Sequence, residues 1–486
     1  MKRIAFIIIA CLVAGDVCQA RIITVDDDGP ADFSTIQAAI DDANDGDTVT
    51  VRPGRYTGEG NRDISFRGKG ITVRSLDPND PNIVHGTVID ADANQTDEHR
   101  CFVFANAEGP SSVLDGLTIT GGFTTSEGGG IRCIESGPTI ARCCIEGNCA
   151  LEGGGFYSNK GCPNILSCTI QRNTARYGGG MSCYSGSLSV SYCRVLDNIA
   201  ESGGGLFAVY SGVTAAYSVF RGNQSYSTDY NFTGGGFFAL MPFSEISVEH
   251  CLFEANSTLA DGGGGLTVIS CKAGAEISNC TFVGNGALSG AALSLRGGNS
   301  FHPIVRNCIV WGNIPSNDPG IYSVNFGFCG RHYAYIDHSV LQADWDQLPL
   351  AQVTNCMVAD PCFADPGYWD PNGTPDDAND DFWVDGDYHL KSQCGRWEPN
   401  EGRWTIDEVT SPCIDAGDPM SPIGLEPFPN GGRINMGAYG GTEEASKSYF
   451  GGPVCETIVA GDVNGDCLID FKDFFFVALH WMEEHN

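Results

Sequence analysis

Basic side chains are scarce in this chain: 27 lysines and arginines stand against 60 aspartates and glutamates, a formal net charge of −33 at pH 7. Such a field repels nucleic acid and anionic membrane surfaces, so neither is an expected partner. Long apolar runs are also lacking. The one at residues 4–15 is about a dozen residues, and nothing later approaches the ~20 that a membrane-spanning helix needs. Helical periodicity is missing from nearly the whole length, which excludes helical bundles and alternating α/β folds. The chain opens with Lys2 and Arg3, passes through the apolar stretch and reaches small residues before Ala20. This is the three-part layout of a secretory leader, cleaved after Ala20. The rest is expected to be an exported monomer, extracellular or on the cell surface, with the periplasm as the alternative.

Cysteine is abundant, with 22 residues, and an exported chain would ordinarily use them as a disulfide framework. Their positions argue otherwise. A pattern of cysteine, a β-branched or aromatic residue two places on and asparagine five places on starts at Cys143, Cys168, Cys193, Ser218, Cys251, Cys280 and Cys308. A degenerate unit precedes it at Leu117 and a last one follows at Ser339. The asparagines are Asn148, Asn173, Asn198, Asn223, Asn256, Asn285 and Asn313, and a glycine cluster such as Gly153 to Gly155 or Gly178 to Gly180 follows each of the early ones. A period in this range signals a solenoid. Short alternating runs separated by turn residues, about three per unit, make the expected fold all-β: a right-handed parallel β-helix with three strands per coil. Strand periodicity places each cysteine on the same interior face as the apolar residue two places later, so the thiols form a buried column. The asparagines are expected to bond along the stack at a turn.

The stretch "DFSTIQAAIDDANDGDTVTVRPGRY" supplies an N-terminal capping helix, with Ser34 or Asp32 as N-cap and Ile36, Ala39, Ile40 and Ala43 on one face. It resembles the opening of pectinesterase-like and other secreted β-helix proteins. From about Leu341 the repeat gives way to an irregular Asp-rich closing region, including "SPCIDAGDP" and "PNGGRINMGAYGG", similar to the closing segment of a group of bacterial β-helix proteins. Its loop of Asp370, Asn372, Asp376, Asp377, Asn379, Asp380 and Asp381 offers hard oxygen ligands for calcium, or is a solvated turn. The last segment, "GDVNGDCLIDFKDFFFVALHW", has calcium-loop spacing: Asp462, Asn464, Asp466, the backbone carbonyl of Leu468, Asp470 and Asp473, followed by a helix from Phe471. It resembles a dockerin repeat, present once where dockerins carry two, and the resemblance implies a cohesin-like or sorting partner. The expected layout is a signal peptide (1–20), a capped β-helix (21–345), the closing region (346–450) and a dockerin-like loop-helix (451–486).

The chemistry is less defined. The strand after each glycine cluster is expected to point Ile131, Phe156, Met181, Leu206, Phe237, Leu266 and Leu293 inward, so that Tyr157, Tyr184, Phe207 and Phe238 form an outward aromatic strip. Such a strip binds sugar rings when open, or is covered by the insertion near residues 225–232 or by the closing region. No carboxylate appears among these columns, and the "NTD" and "GHG" signatures of polygalacturonase-type enzymes are absent. The densest gathering of titratable groups, "CGRHYAYIDHSV", makes Arg331, His332 and His338 the candidate acid or base residues. The expected function is therefore binding of extracellular polysaccharide or surface glycan, with calcium as cofactor. A polysaccharide lyase or glycoside hydrolase is the first alternative. A structural or adhesive surface protein is the second, favoured by the likeness of "FRGN", "FEAN" and "FVGN" to the repeats of chlamydial polymorphic membrane proteins.

Overall fold

The structure, a computed structural model, describes residues 20–449 apart from 228–232, 243, 261, 270–273, 289, 297–301, 316–325, 329–333, 343–350 and 374–381, together with Phe471, Phe474 and Phe475 of the tail. The chain winds into a parallel β-solenoid of about ten coils with little helix. One middle coil defines the path. Strand Thr139–Ala141 belongs to a first sheet of 13 strands, and Cys144–Glu146 to a second of 11. Cys149–Glu152 lies in a third, short sheet of 7 strands, and Phe156–Asn159 in a fourth of 10. The next strand, Asn164–Leu166, returns to the first sheet and pairs in parallel with Thr139–Ala141. The middle coils thus have four strands where the pattern suggested three. The extra ladder arises because the segment after each asparagine is itself extended and pairs with its equivalents, as in Cys149↔Thr174↔Ile199.

The columns follow the expected register. Ile131, Phe156, Met181, Leu206, Phe237, Leu266 and Leu293 are paired successively and buried. Each asparagine from Asn148 to Asn285 gives its backbone N–H and its side-chain amide to the Oδ1 of the next, for example Asn148 to Asn173 at 3.0 Å for both bonds. Its amide also reaches a carbonyl of the preceding coil, as Asn173 Nδ2 does to Ile145 at 2.9 Å. Buried backbone groups at an otherwise unpaired corner are satisfied in this way. Phe220, Phe253 and Phe282 stack in the interior at 4.9 and 4.8 Å, nearly parallel, at the spacing of paired strands. The cysteine column consists of free thiols, and burial pushes those of Cys168 and Cys280 well above their ordinary pKa. Glycine is obligatory at the third corner: a Cβ on Gly154 would stand 2.5 Å from the Gly179 carbonyl of the next coil.

The expected capping helix is present as Ile36–Asp42, burying Ile36, Ala39 and Ile40, but its N-cap is Thr35, without a side-chain cap bond. The ladder begins before this helix, with Ile22–Val25 pairing in parallel with Thr48–Val51.

The closing region packs on the outer face of the second sheet. Leu252, Val283, Ile309 and Val340 from that face meet Phe363, Tyr388, Leu390, Cys413, Ile414 and Met436 in one buried cluster. Glu254 is the polar anchor beneath it, accepting from Tyr388 Oη at 2.5 Å and Trp383 Nε1 at 2.7 Å. Trp383 is seated over Gly284, where φ is +63° and a Cβ would lie 2.6 Å from the indole ring.

Candidate functional site

The expected calcium ligands Asp462, Asn464, Asp466, Leu468, Asp470 and Asp473 lie outside the described residues, as do Arg331 and His332 and most of the acidic loop after Asn372. In the tail, Phe471, Phe474 and Phe475 are helical and exposed.

The aromatic strip has the predicted register on the fourth sheet, and its rings are largely covered. Tyr157, Phe207 and Phe238 retain 4%, 5% and 0% exposure. Tyr184 is half-buried between Tyr157 and Phe207, at 5.7 and 5.9 Å. Tyr177, from the third sheet, lies 5.2 Å from Phe207. Burial pushes the Tyr157 hydroxyl up to about 12 and that of Tyr184 further. The strip is thus a packed satellite core whose margin borders a cavity of about 270 Å³, shared with Glu201, Ser202 and Ser227. Among the described residues, the closing region does not cover it. That region chose the second sheet, whose outward residues Leu252, Val283, Ile309 and Val340 are as apolar as the strip itself.

Another cleft forms at the corner between the first and second sheets. One residue per coil turns the chain there in the left-handed region: Arg142, Ser167, Tyr192, Tyr217, His250, Asn279, Asn307 and His338 have φ between 42° and 56°. A single left-handed residue makes a tight corner at a cost of about 1–2 kcal/mol for a side chain other than glycine. In sequence this is the residue just before each column cysteine or serine, a signal available beforehand and not used. The column forms a rail. Its far end holds the closing region: Asn279 Nδ2 donates to the Asn435 carbonyl at 3.2 Å, and Asn307 Oδ1 accepts from the Asp418 N–H at 2.7 Å. His338, the one candidate acid or base among the described residues, sits at that end, buried beside Asp337 and away from the cleft.

Upstream, the rail carries three flat rings. Tyr192 and Tyr217 are parallel at 5.0 Å, and Tyr217 and His250 at 4.7 Å. These rings form one wall of a cleft of about 520 Å³, whose other wall is Leu425, Ala438, Tyr439, Gly441, Thr442, Glu443 and Glu444 of the closing region. His250 meets Gly441 at the closed end of the stack, where a Cβ on the glycine would lie 3.1 Å from the imidazole. Burial lowers the His250 pKa, with the Ala438 and Gly440 carbonyls opposing, so the ring is neutral at neutral pH. At the open end Tyr192 is 58% exposed, and the next rung is the small Ser167.

The carboxylate lip is held from behind. His389, 1% exposed, stacks on Tyr439 at 3.7 Å and bridges Asp387 at 2.5 Å and Glu444 at 3.3 Å. Burial works to lower its pKa, but the two carboxylates outweigh burial and hold it raised. Arg396 supports Asp387 from the other side at 3.2 Å.

No protein-family model and no curated protein matches the chain. Among solved structures it is similar to one described as pectate lyase Pel9A, aligned over 87% of this chain and 97% of that one at 15% identity and a TM-score of 0.45. A likeness this loose transfers neither residues nor activity.

Proposed function

We propose that this is an exported, right-handed β-helix that binds neutral polysaccharide or surface glycan in the cleft at Tyr192, without catalysing its breakdown. The carrying observation is the ring stack Tyr192–Tyr217–His250, which is capped at one end by the closing region and open at the other above Ser167. A pyranose ring laid on Tyr192 would occupy the place of the missing rung, its C–H face against the π face. Glu443 and Glu444 supply acceptors for hydroxyl groups and disfavour uronates. A cleft wall made of one rigid rail needs little ordering on binding. The tail at residues 451–486 is proposed as a separate calcium-dependent anchor.

The test is affinity electrophoresis of the exported chain through gels containing neutral or acidic polysaccharides, with new reducing ends and unsaturated products assayed in parallel. Retardation by a neutral polymer, weakened at least about tenfold by Tyr192→Ala, is expected. Retardation that Tyr192→Ala leaves intact would move binding elsewhere, and accumulating product would make the chain an enzyme. Asp462→Ala is expected to remove one bound calcium and leave retardation unchanged.

A further inference from the structure

At the far end of the rail, three side chains from distant parts of the chain converge. Asp337 ends strand Ala334–Asp337, His338 is the left-handed corner residue and Asp418 comes from the closing region. One ligand atom from each lies within 4.8 Å of the other two. Both carboxylates have one oxygen already held: Asp337 Oδ1 accepts from Thr354 Oγ1 at 2.8 Å and Asn355 Nδ2 at 3.0 Å, and Asp418 Oδ1 from the Met420 N–H at 2.9 Å. Such outer bonds orient a carboxylate and leave its second oxygen for a ligand.

The second observation is independent of the acidic pair. His338 is 8% exposed, and its Nδ1 is buried without a hydrogen-bond partner, although Asp337 Oδ2 is 2.9 Å away. Nitrogen and oxygen this close, without donor alignment, do not aim at each other. Two ligands of one ion also lie close without bonding to each other: bonds of about 2.0–2.2 Å at tetrahedral angles put donor atoms about 3.3–3.6 Å apart, so this pair would open by about half an ångström on taking up the ion.

We propose that Asp337, His338 and Asp418 bind a divalent cation of the zinc class, which ties the closing region to the last coils. An imidazole nitrogen with two carboxylates suits zinc and disfavours calcium, whose ligands are oxygens. Arg306 Nη1, 3.4 Å from Asp418 Oδ2, is the counter-charge the cation would displace; the side chain is one-third exposed and has solvent to turn into. None of these residues belongs to the expected calcium loop of the tail or to the proposed glycan cleft.

The full exported chain, stripped with chelator, would be titrated with zinc chloride in the presence of excess calcium, and bound zinc counted by elemental analysis. Relative to the parent, His338→Gln and Asp418→Asn are expected to lose one zinc equivalent while keeping their circular dichroism. Arg306→Gln keeps all three ligands and removes the competing cation, so it is expected to bind that equivalent several-fold tighter; this reading survives if the ligand variants fail to fold. Zinc is also expected to slow proteolysis of the closing region in the parent and not in Asp418→Asn. Zinc uptake equal to the parent in both folded ligand variants would overturn the proposal, as would unchanged affinity in Arg306→Gln.

Discussion

The coils from Thr139 to Val340 and the region from residue 351 to 449 bury their side chains in opposite ways. In the coils, the neighbours of a residue are its own equivalents one turn above and below, so a contact that works once is repeated: asparagine on asparagine, phenylalanine on phenylalanine. In the described closing region contacts do not repeat at a fixed period, although one kind occurs twice: the cross-strand tryptophan pairs Trp369–Trp383 and Trp397–Trp404, each at 5.5 Å. Its three described antiparallel strand pairs are unrelated to the coils, and its buried polar contacts, Tyr388 and Trp383 with Glu254 of the coils, Asn435 with Asp415 and Ser446, are single solutions. Repetition spreads order over many equal parts, whereas the closing region depends on a few unequal ones. Each variant below tests one side of that contrast.

The largest effect is expected in the middle of the asparagine ladder. Asn198 accepts from the Asn173 N–H and amide at 3.0 and 3.1 Å, and donates to Ile170 at 2.9 Å and to Asn223 at 3.0 Å, all in the interior. Asn198→Ala leaves several buried groups unpaired at about 1–3 kcal/mol each, softened by relaxation, for a total of about 4 kcal/mol. Chemical denaturation is the measurement. A loss below about 1 kcal/mol would mean that the ladder is ornament and that the strands alone hold the coils.

Glu426 is the sharpest single solution of the closing region. Its Oε1 accepts from the N–H groups of Asn435 and Gly441 at 2.7 and 2.8 Å, its Oε2 is buried without a partner, and burial raises its pKa to about 7. The folded pKa is above the unfolded one, near 4.5, so between these values the folded chain holds the extra proton. This contribution to stability is therefore fully present below about pH 4.5 and is lost as pH rises to about 7, a fall of about 3 kcal/mol. Glu426→Gln keeps the acceptor and cannot ionise. Melting curves from pH 4 to 8 should show the parent losing stability relative to the variant across that window; parallel profiles would put the carboxyl in a solvated setting.

Trp383→Ala is expected to cost about 2 kcal/mol, by removing the ring over Gly284 and one of the donors to Glu254. Limited proteolysis is the discriminating measurement, because the cuts should concentrate between residues 351 and 449 while the coils stay resistant. Coils that became equally sensitive would show that the two regions unfold as one unit.

The same contrast explains what could be read from sequence. Cysteine at one position, asparagine five later and the glycine cluster after it recur often enough to place the inward columns to the residue, because the repeat averages out local accidents. The fourth ladder was missed because its two- to four-residue strands have no alternation of their own to detect. The docking of the closing region stayed open in the sequence because apolar outward residues occur on two sheets, and only the partner's shape selects between them. The cleft was missed for a different reason. Tyr192, Tyr217 and His250 sit at a corner, where strand periodicity does not say which way a side chain points; the left-handed φ sends it outward.

The smallest effect concerns the thiol column. Cys193 Sγ accepts from the Cys168 N–H at 3.4 Å and reaches the Ser191 carbonyl at 3.3 Å. One coil on, Ser218 Oγ makes the same two bonds, from the Cys193 N–H at 3.0 Å and to the Ala216 carbonyl at 2.8 Å. The column therefore already contains its own substitution. Cys193→Ser exchanges long sulfur contacts for shorter oxygen ones and gives up a little buried apolar volume, so the balance should stay within about 1 kcal/mol. If denaturation shows a loss above about 2 kcal/mol, the coils are not interchangeable, and the size of sulfur sets the local spacing between strands. A change near zero would mean that equivalence along the solenoid extends to its chemistry, with the residue at each column position set by hydrogen-bond pattern and burial and not by the thiol as such.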